Sequence, residues 1–455
     1  MHLAALQKPP VSYYNKKNNK MNEMHNNIID ITTSDLCTGC GTCKNICQKK
    51  AITFSINKKT GLYIPNVNED FCVKCKLCLQ VCPGWGTDYQ KLELEIFNHP
   101  RNDDIVGRYL DLYSGYSNDY ETRFNSSSGG IVTQILMFAL ELGLITGALV
   151  TKMNDKNPLR PEPFIARTKE DLIEAAKSKY CPVPANLALD KILHSDKNEK
   201  FAVVGLPCHI NGIRKFEHLN PDLKNKIVMH IGLFCANTLS FCATENLLEN
   251  LKIKKDTIKK IDYRGNGWPG GMTIHFTNKE MIYIPKNIYY DSCFSSFIPN
   301  RCTLCNDHTC ELADISIGDA WLPKFIDDNI GQSIIIARSE KAQIFLFNAT
   351  NDNVIEIKKV SLDELKKSQD FFILKKRRIY AQILLLKILN KPIPKYILVK
   401  KTLRLEDICY SLWVTFWINI TYKKNLWKFL MLKKQIKLIL DNHPKLLLKI
   451  LRIKK

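Results

Sequence analysis

Eight cysteines fall between Cys37 and Cys82 in two runs of one spacing, and no other feature of the 455-residue chain constrains it as tightly. In "CTGCGTCKNIC", Cys37, Cys40, Cys43 and Cys47 follow the order C-x2-C-x2-C-x3-C. "CVKCKLCLQVCP" repeats that order with Cys72, Cys75, Cys78 and Cys82, followed by Pro83. Gaps this short in a chain this long suit metal ligation in a reducing compartment better than disulfide pairing. Zinc sites ordinarily take four ligands in two separated pairs. Two full quartets point instead to iron–sulfur clusters. Three closely spaced thiolates wrap one face of a four-iron cube, and the fourth points away from a helical turn.

This is the run found in bacterial two-cluster ferredoxins, where the fourth cysteine serves the other cluster. It assigns Cys37, Cys40, Cys43 and Cys82 to one 4Fe–4S cluster, and Cys72, Cys75, Cys78 and Cys47 to the second. Gln48 stands where the second run has Pro83, a small departure. "AITFSINKKTGLYIPNV" between the runs reads as a hairpin. Residues 31–95 thus form a module that moves single electrons and does no bond chemistry by itself. Residues 1–30 lack the apolar stretch of a secretory signal and read as a disordered leader, with Met21 or Met24 as a possible true start. No run of about 18 apolar residues is present, so no spanning helix is expected.

The middle of the chain alternates strand-like and helix-like stretches, the grammar of an α/β layer sheet. In "RFNSSSGGIVTQILMFALELGLITGALV", Ser128 caps a helix starting at Gly129 or Gly130, and Gly143 stops it. The bare backbone of Gly129 and Gly130 also suits a phosphate at the helix N-terminus; spacing alone leaves both readings open. "FAVVGLPCHINGIRKF" reads as strand, turn and helix, and "KIVMHIGLFC" as a second buried strand. Cys208 and Cys235 fall just past these strand ends, where ligands of such sheets gather. If the strands are neighbours, Cys208 and Cys235 converge, and Cys302 and Cys305 of "RCTLCNDHTCELADISIGDAW" complete four ligands. Free cysteines also serve as small buried hydrophobes, and C-x2-C alone suits a zinc half-site or a redox pair.

"SSSGGIVTQIL", "AAKSKY", "VVGLPCHINGIRK", "HIGLFC", "YRGNGWPGG" and the Cys302–Cys305 segment occur in an order that resembles the beta-subunit family of coenzyme F420 hydrogenases and dehydrogenases. The resemblance spans roughly residues 30–340. It implies a flavin-binding α/β domain over residues 100–340, FAD, and a third 4Fe–4S cluster on Cys208, Cys235, Cys302 and Cys305. Cys310 is close enough to replace one ligand, and Cys181, Cys242, Cys293 and Cys409 read as spare thiols. Ser128, Gly129 and Gly130 match the family's Gly-rich helix start. Lys179 matches a segment that meets phosphate or ribose, or else is a solvated helix-end lysine. Arg264, Gly267, Trp268, Asp319 and Trp321 are further cleft candidates. His209 beside Cys208 makes a poor base for it, since sequence neighbours rarely aim at one point.

The charge of +21 is lopsided: residues 375–455 hold 21 Lys and Arg against 3 Asp and Glu. Residues 341–375 read as a closing segment, and 376–455 as a basic amphipathic helical tail. Such a tail suits an anionic membrane surface, a partner, or packing on the body with a solvated lysine face. No fold for reading nucleic acid is visible. The expected architecture is α+β: a two-cluster ferredoxin module, a flavin-binding α/β domain and a helical tail. The expected function is a cytoplasmic iron–sulfur flavoprotein oxidoreductase, peripheral to the inner membrane face if the tail binds lipid. It passes electrons between the clusters and FAD, with hydride transfer to or from a deazaflavin-like or other small substrate. Its partners are then a redox protein or ferredoxin and that small molecule. The alternatives are an electron-transfer subunit feeding a separate enzyme, or a membrane-associated component of surface-polysaccharide synthesis. The catalytic residues, the substrate, the direction of flow and the oligomeric state are not legible.

Overall fold

The structure is a computed structural model and describes residues 27–290, 296–396 and 403–430. Most of the leader, Cys293 and the tail beyond residue 430 lie outside the described residues. Strands β1 (Ile52–Asn57) and β2 (Leu62–Val67) pair antiparallel as the hairpin between the two cysteine runs. The short β3 (Gly86–Thr87) pairs with the late β15 (Lys395–Tyr396), so the C-terminal region reaches back to the first module.

Eight strands make the main sheet: β4 (Asp111–Ser117), β5 (Gly147–Met153), β6 (Pro161–Ala166), β7 (Phe201–Gly205), β8 (Ile227–Leu233), β12 (Ile315–Asp319), β13 (Ser333–Ala337) and β14 (Ile355–Lys359). Their order is β14-β4-β13-β12-β8-β7-β5-β6. The four central strands β12, β8, β7 and β5 run parallel, and the flanking pairings are antiparallel. A second sheet holds β9 (Ile258–Asp262), β10 (Gly271–Phe276) and β11 (Met281–Pro285). Apolar runs such as Phe201–Gly205 bury both faces: Phe201 and Val203 join one core, and Ala202 joins the core on the other side. That double burial is why these strands read as continuous apolar segments.

Three helices position the site: α1 (Ile131–Glu141), α2 (Lys169–Ala175) and α3 (Pro207–Leu219). The ferredoxin module is not a separate bead. Ile28, Leu36 and Val81 share a core with Ile210, Ile213 and Phe216 of α3. Asn186 donates from Nδ2 to Thr42 Oγ1 at 2.7 Å and from its backbone N to Cys40 O at 3.0 Å. Lys215 of α3 donates to Cys82 O at 3.1 Å and Gly86 O at 2.5 Å.

The start of the basic tail differs from the expectation of a solvated lysine face. In α4 (Asp370–Ile388), the run Lys375-Lys376-Arg377-Arg378 turns inward. Lys375 donates to Ala236 O, and Lys376 pairs with Glu311 at 2.5 Å. Arg377 pairs with Asp407 of α5 (Leu405–Thr421) at 2.9 Å, and Arg378 lies 3.7 Å over the Tyr410 ring. A count of charges cannot tell a solvated cation from one whose partner lies elsewhere in the chain. Among the described residues no helix is long and apolar enough to cross a membrane.

Candidate functional site

The parallel strands β7 and β8 are neighbours, so the turns after them open on one point. Gly205 ends β7, Pro207 opens α3 with its preset φ, and Cys208 follows in the first turn of that helix. Cys235 lies just beyond β8, where its N–H donates to His308 O at 2.9 Å. His308 Nδ1 lies 2.5 Å from Cys235 O. This double clip ties the Cys302–Cys305 loop to the strand end. Cys208, Cys235, Cys302 and Cys305, together with Cys37, line one small cavity of about 60 Å³.

The electrostatics sort the thiols into groups. Burial pushes the Cys208 thiol well up, and the neighbouring Cys40, Cys235, Cys305 and Cys302 thiols push it further. Burial also raises Cys235 and Cys302. In the ferredoxin module burial raises Cys37 and Cys43, each reinforced by Cys82 and Cys40, so Cys37, Cys40, Cys43 and Cys82 form one group. Cys78 is pushed up to about 11 by burial, with Cys75, Cys82 and Cys47 adding to it. Asn27 Nδ2 donates to Cys72 Sγ at 3.8 Å beside them.

Thiols that oppose one another's ionisation disfavour a bare quartet of thiolates, and an iron core supplies the positive charge that reverses this. That donor set suits iron–sulfur clusters. Among the described residues no three His, Cys, Asp or Glu side chains converge tightly enough for a single ion. Ligands at the corners of a multi-iron cube stand wider apart than those of one zinc ion.

Cys310 stands apart from the quartet. It is fully buried beneath β8, where a Cβ on Gly232 would come within 2.5 Å of its sulfur. Cys181 and Cys242 are buried in the core around Tyr263.

A second, larger cavity of about 460 Å³ opens beyond the same strand ends and shares Leu206, His209, Cys235, Ala236, Asn237 and Thr238 with the cysteine cavity. Its size suits a cofactor. Asn237 leaves its side-chain oxygen buried with no hydrogen-bond partner among the described residues, a polar atom that a bound group would satisfy. Ser128, Gly130 and the first residues of α1 also line it.

The helix start differs from the expected Ser cap. Gly130 is the N-cap, in the left-handed region at φ 76°, and Ser128 instead faces Ser333 at 2.9 Å between hydroxyls. Gly129 is demanded by packing: a Cβ there would lie 2.5 Å from Gly115 O. The first N–H groups of α1 therefore have no side-chain cap.

Lys179 also departs from its expected role. It lines the cavity, yet its ammonium donates to the carbonyls of Ala175, Ala176 and Lys177 at 2.5, 2.7 and 3.0 Å. Burial brings its pKa down to about 7. With three donors used, Lys179 closes the end of α2 rather than offering a point charge to phosphate. His209 donates from Nε2 to Val183 O at 3.0 Å and accepts at Nδ1 from Leu206 N at 3.1 Å. Burial lowers its pKa to about 4, so it pins the turn as a neutral ring and is no base for Cys208.

The Gly-rich segment forms a buried polar clamp. Arg264 forks onto Asp319 at 2.8 and 2.6 Å, and Trp268 Nε1 donates to Asp319 Oδ1 at 2.8 Å. The Trp268 and Trp321 ring centroids are 4.6 Å apart, and Trp321 faces the cavity. Trp268 is thus a packing residue, and Trp321 is the exposed ring. Lys375, Phe372 and Gln369 line these cavities from α4 and the residue before it, with no local motif to mark them in the sequence.

Family models match three stretches. Residues 36–84 match the 4Fe-4S dicluster domain. Residues 112–190 and 198–363 match the N- and C-terminal parts of the coenzyme F420 hydrogenase/dehydrogenase beta subunit. The chain is 28% identical over 355 residues to a coenzyme F420-dependent sulfite reductase of Methanocaldococcus jannaschii, covering 74% of this chain and 49% of that protein. It therefore spans about half the length of that relative. It is 28% identical over 261 residues to the coenzyme F420 hydrogenase subunit beta of Methanothermobacter thermautotrophicus, covering 56% of this chain and 86% of that subunit. A chain of the F420-reducing [NiFe] hydrogenase complex from Methanosarcina barkeri superposes with a TM-score of 0.51 at 26% identity, over 64% of this chain and 97% of that one.

Proposed function

Since the chain belongs to the coenzyme F420 hydrogenase/dehydrogenase beta subunit family, we propose that this iron–sulfur, oxidoreductase-type protein is a flavoprotein carrying three 4Fe–4S clusters and FAD. It exchanges electrons with a redox protein and hydride with a deazaflavin-like small molecule. One observation carries this reading: Cys208 neighbours Cys40 on one side and Cys235, Cys302 and Cys305 on the other, and Cys235 also lines the 460 Å³ cavity. Cysteine groups thus run unbroken from the surface to the cavity. When bound, the clusters supply one-electron steps and FAD supplies the exchange between one- and two-electron chemistry.

The residues would divide the work as follows. Cys47, Cys72, Cys75 and Cys78 hold the outer cluster, and Cys37, Cys40, Cys43 and Cys82 the next. Cys208, Cys235, Cys302 and Cys305 hold the third beside the cavity. The uncapped amides of α1, with Gly129 and Gly130 behind them, favour a phosphate of FAD. Asn237 would offer its unpartnered oxygen to a donor of the bound cofactor, and Trp321 would offer it an aromatic face. Anaerobic turnover tests the function: purified protein reducing a deazaflavin with reduced methyl viologen or reduced ferredoxin as the sole electron donor supports an enzyme. A strict need for a further enzyme besides that donor would overturn that reading in favour of an electron-transfer subunit.

Lys179→Met is expected to change FAD affinity by no more than a few-fold, because its ammonium is spent on the α2 carbonyls. Fluorescence titration of the apo-flavin protein measures this, and a loss of about a hundredfold, nearly 3 kcal/mol, would return Lys179 to a phosphate contact.

The outer cysteine group reaches the surface at Cys75, which is exposed. Phe71 and Val73 are both 61% exposed beside it, with Lys74 and Lys76 on the same exposed loop. Lys44, Lys49 and Lys50 are exposed around Cys47. An acidic redox protein complements this rim. Lys74→Glu/Lys76→Glu is expected to slow reduction by reduced ferredoxin about tenfold at low salt, with the difference shrinking as salt rises. Stopped-flow traces at two ionic strengths read both effects, and equal rates at low salt would place docking elsewhere.

A further inference from the structure

Helix α4 begins beyond residue 363, where the matched family models end. It is nevertheless fastened to the cysteine loop. Gln369, just before it, donates to Asp319 O at 2.5 Å. Phe372 stacks on His308 with ring centroids 4.3 Å apart and meets the Phe234 ring edge-on at 5.8 Å. Lys376 pairs with Glu311 and donates to Asp104 O at 3.1 Å. These contacts fix the one residue of the basic run that has no acidic partner.

That residue is Lys375. Lys376, Arg377 and Arg378 each lie within 4 Å of a carboxylate. Lys375 is 9% exposed, donates to Ala236 O, and forms no ion pair among the described residues. It lines the cavity that holds Cys208, Cys235, Cys302 and Cys305, and a smaller one behind Cys302. Burying an ammonium without a counter-anion costs several kcal/mol. An anion is therefore expected beside it, and the cysteine quartet is what stands there. Lys375 is the strongest charge acting on the Cys302 thiol and the strongest favourable one on Cys235. Other charges face the same thiols: Arg301 favours the Cys302 thiolate, and Asp307 opposes that of Cys235.

We propose that Lys375 is a positioning residue whose fixed charge balances the Cys208–Cys235–Cys302–Cys305 quartet and raises the reduction potential of the cluster held there. The proposal rests on the three-cluster reading. Four thiolates around a four-iron core carry a net negative charge that grows by one on reduction. A buried ammonium lining the same cavity stabilises the reduced form more than the oxidised form. One electron leaves the cluster on Cys37, Cys40, Cys43 and Cys82, which is oxidised, and enters the cluster on the quartet, which is reduced. No bond changes and no proton need move. Helix α4 would thereby bias flow toward the cavity.

The test uses the full chain, purified anaerobically, as wild type, Lys375→Met, Lys375→Gln and Lys375→Arg. Gln retains a donor for Ala236 O without the charge, so it separates charge from packing. Iron content and electron paramagnetic resonance during redox titration are the readouts. With unchanged iron, one cluster signal in the Met and Gln variants should become about tenfold harder to reduce, a fall of ~59 mV for one electron. The Arg variant should stay near wild type. Full iron with all three potentials unmoved would overturn the role of Lys375 alone. A wild type with iron for only two clusters would overturn the three-cluster reading, and this proposal with it.

Discussion

Replacing Cys208 with alanine is expected to remove about four of roughly twelve irons, leave FAD bound, and cut its reduction through the ferredoxin module by orders of magnitude. The thiol faces both ways. Cys40 of the module is the first neighbouring thiol acting on it, and Cys235, Cys305 and Cys302 follow. Without Cys208 three ligands remain, beside a gap between the module and the cavity. Flavin binding should survive, because the α1 amides, Asn237 and Trp321 do not depend on that sulfur. Direct reduction of the flavin by a small chemical donor should survive for the same reason. Iron analysis and stopped-flow flavin bleaching with reduced ferredoxin measure the two halves separately. Unchanged iron and unchanged bleaching would make Cys208 a buried filler.

Gly212→Val is expected to loosen the ferredoxin module from the body. Gly212 sits in the middle of α3, where a Cβ would lie 2.3 Å from Thr42 Oγ1 and 3.3 Å from Asn186 Nδ2. Thr42 is fully buried and already accepts from Asn186, so it has little room to give. Overpacking of this kind costs about 1–3 kcal/mol. The strain falls between Cys43 and α3, next to the approach of Cys40 to Cys208. The melting temperature should therefore drop, and electron hand-over to the flavin should drop with it. Gly212→Ala should show the same direction more weakly. A valine variant that melts and bleaches like wild type would mean that α3 and the module can move apart freely.

The two cysteine runs were legible because cluster ligation is written in short spacing. The convergence of Cys208 and Cys235 on one cavity was legible because both follow buried strands, and the parallel pairing of β7 and β8 brings those ends together. Gly212 carried a signal that went unused: an isolated glycine inside a helical pattern asks for a packing reason. Ser128 and Lys179 misled for a shared cause. Each has the right chemistry for a helix end or a phosphate, but its partners, Ser333 and the α2 carbonyls, are set by tertiary geometry. The Lys375–Arg378 run was opaque for the same reason, since Glu311 and Asp407 answer it from elsewhere in the chain.

The fastening of α4 over the cysteine loop has a consequence for biogenesis. All twelve candidate ligands precede α4, so a ribosome has exposed the last of them well before Lys375 emerges. During that interval the loop holding Cys302 and Cys305 has no Phe372 against His308 and no ammonium beside Cys235. An iron-delivery protein would meet an open face, and the last stretch of translation would then close it. On the three-cluster proposal, α4 would then act as a timed seal, with loading first and shielding second.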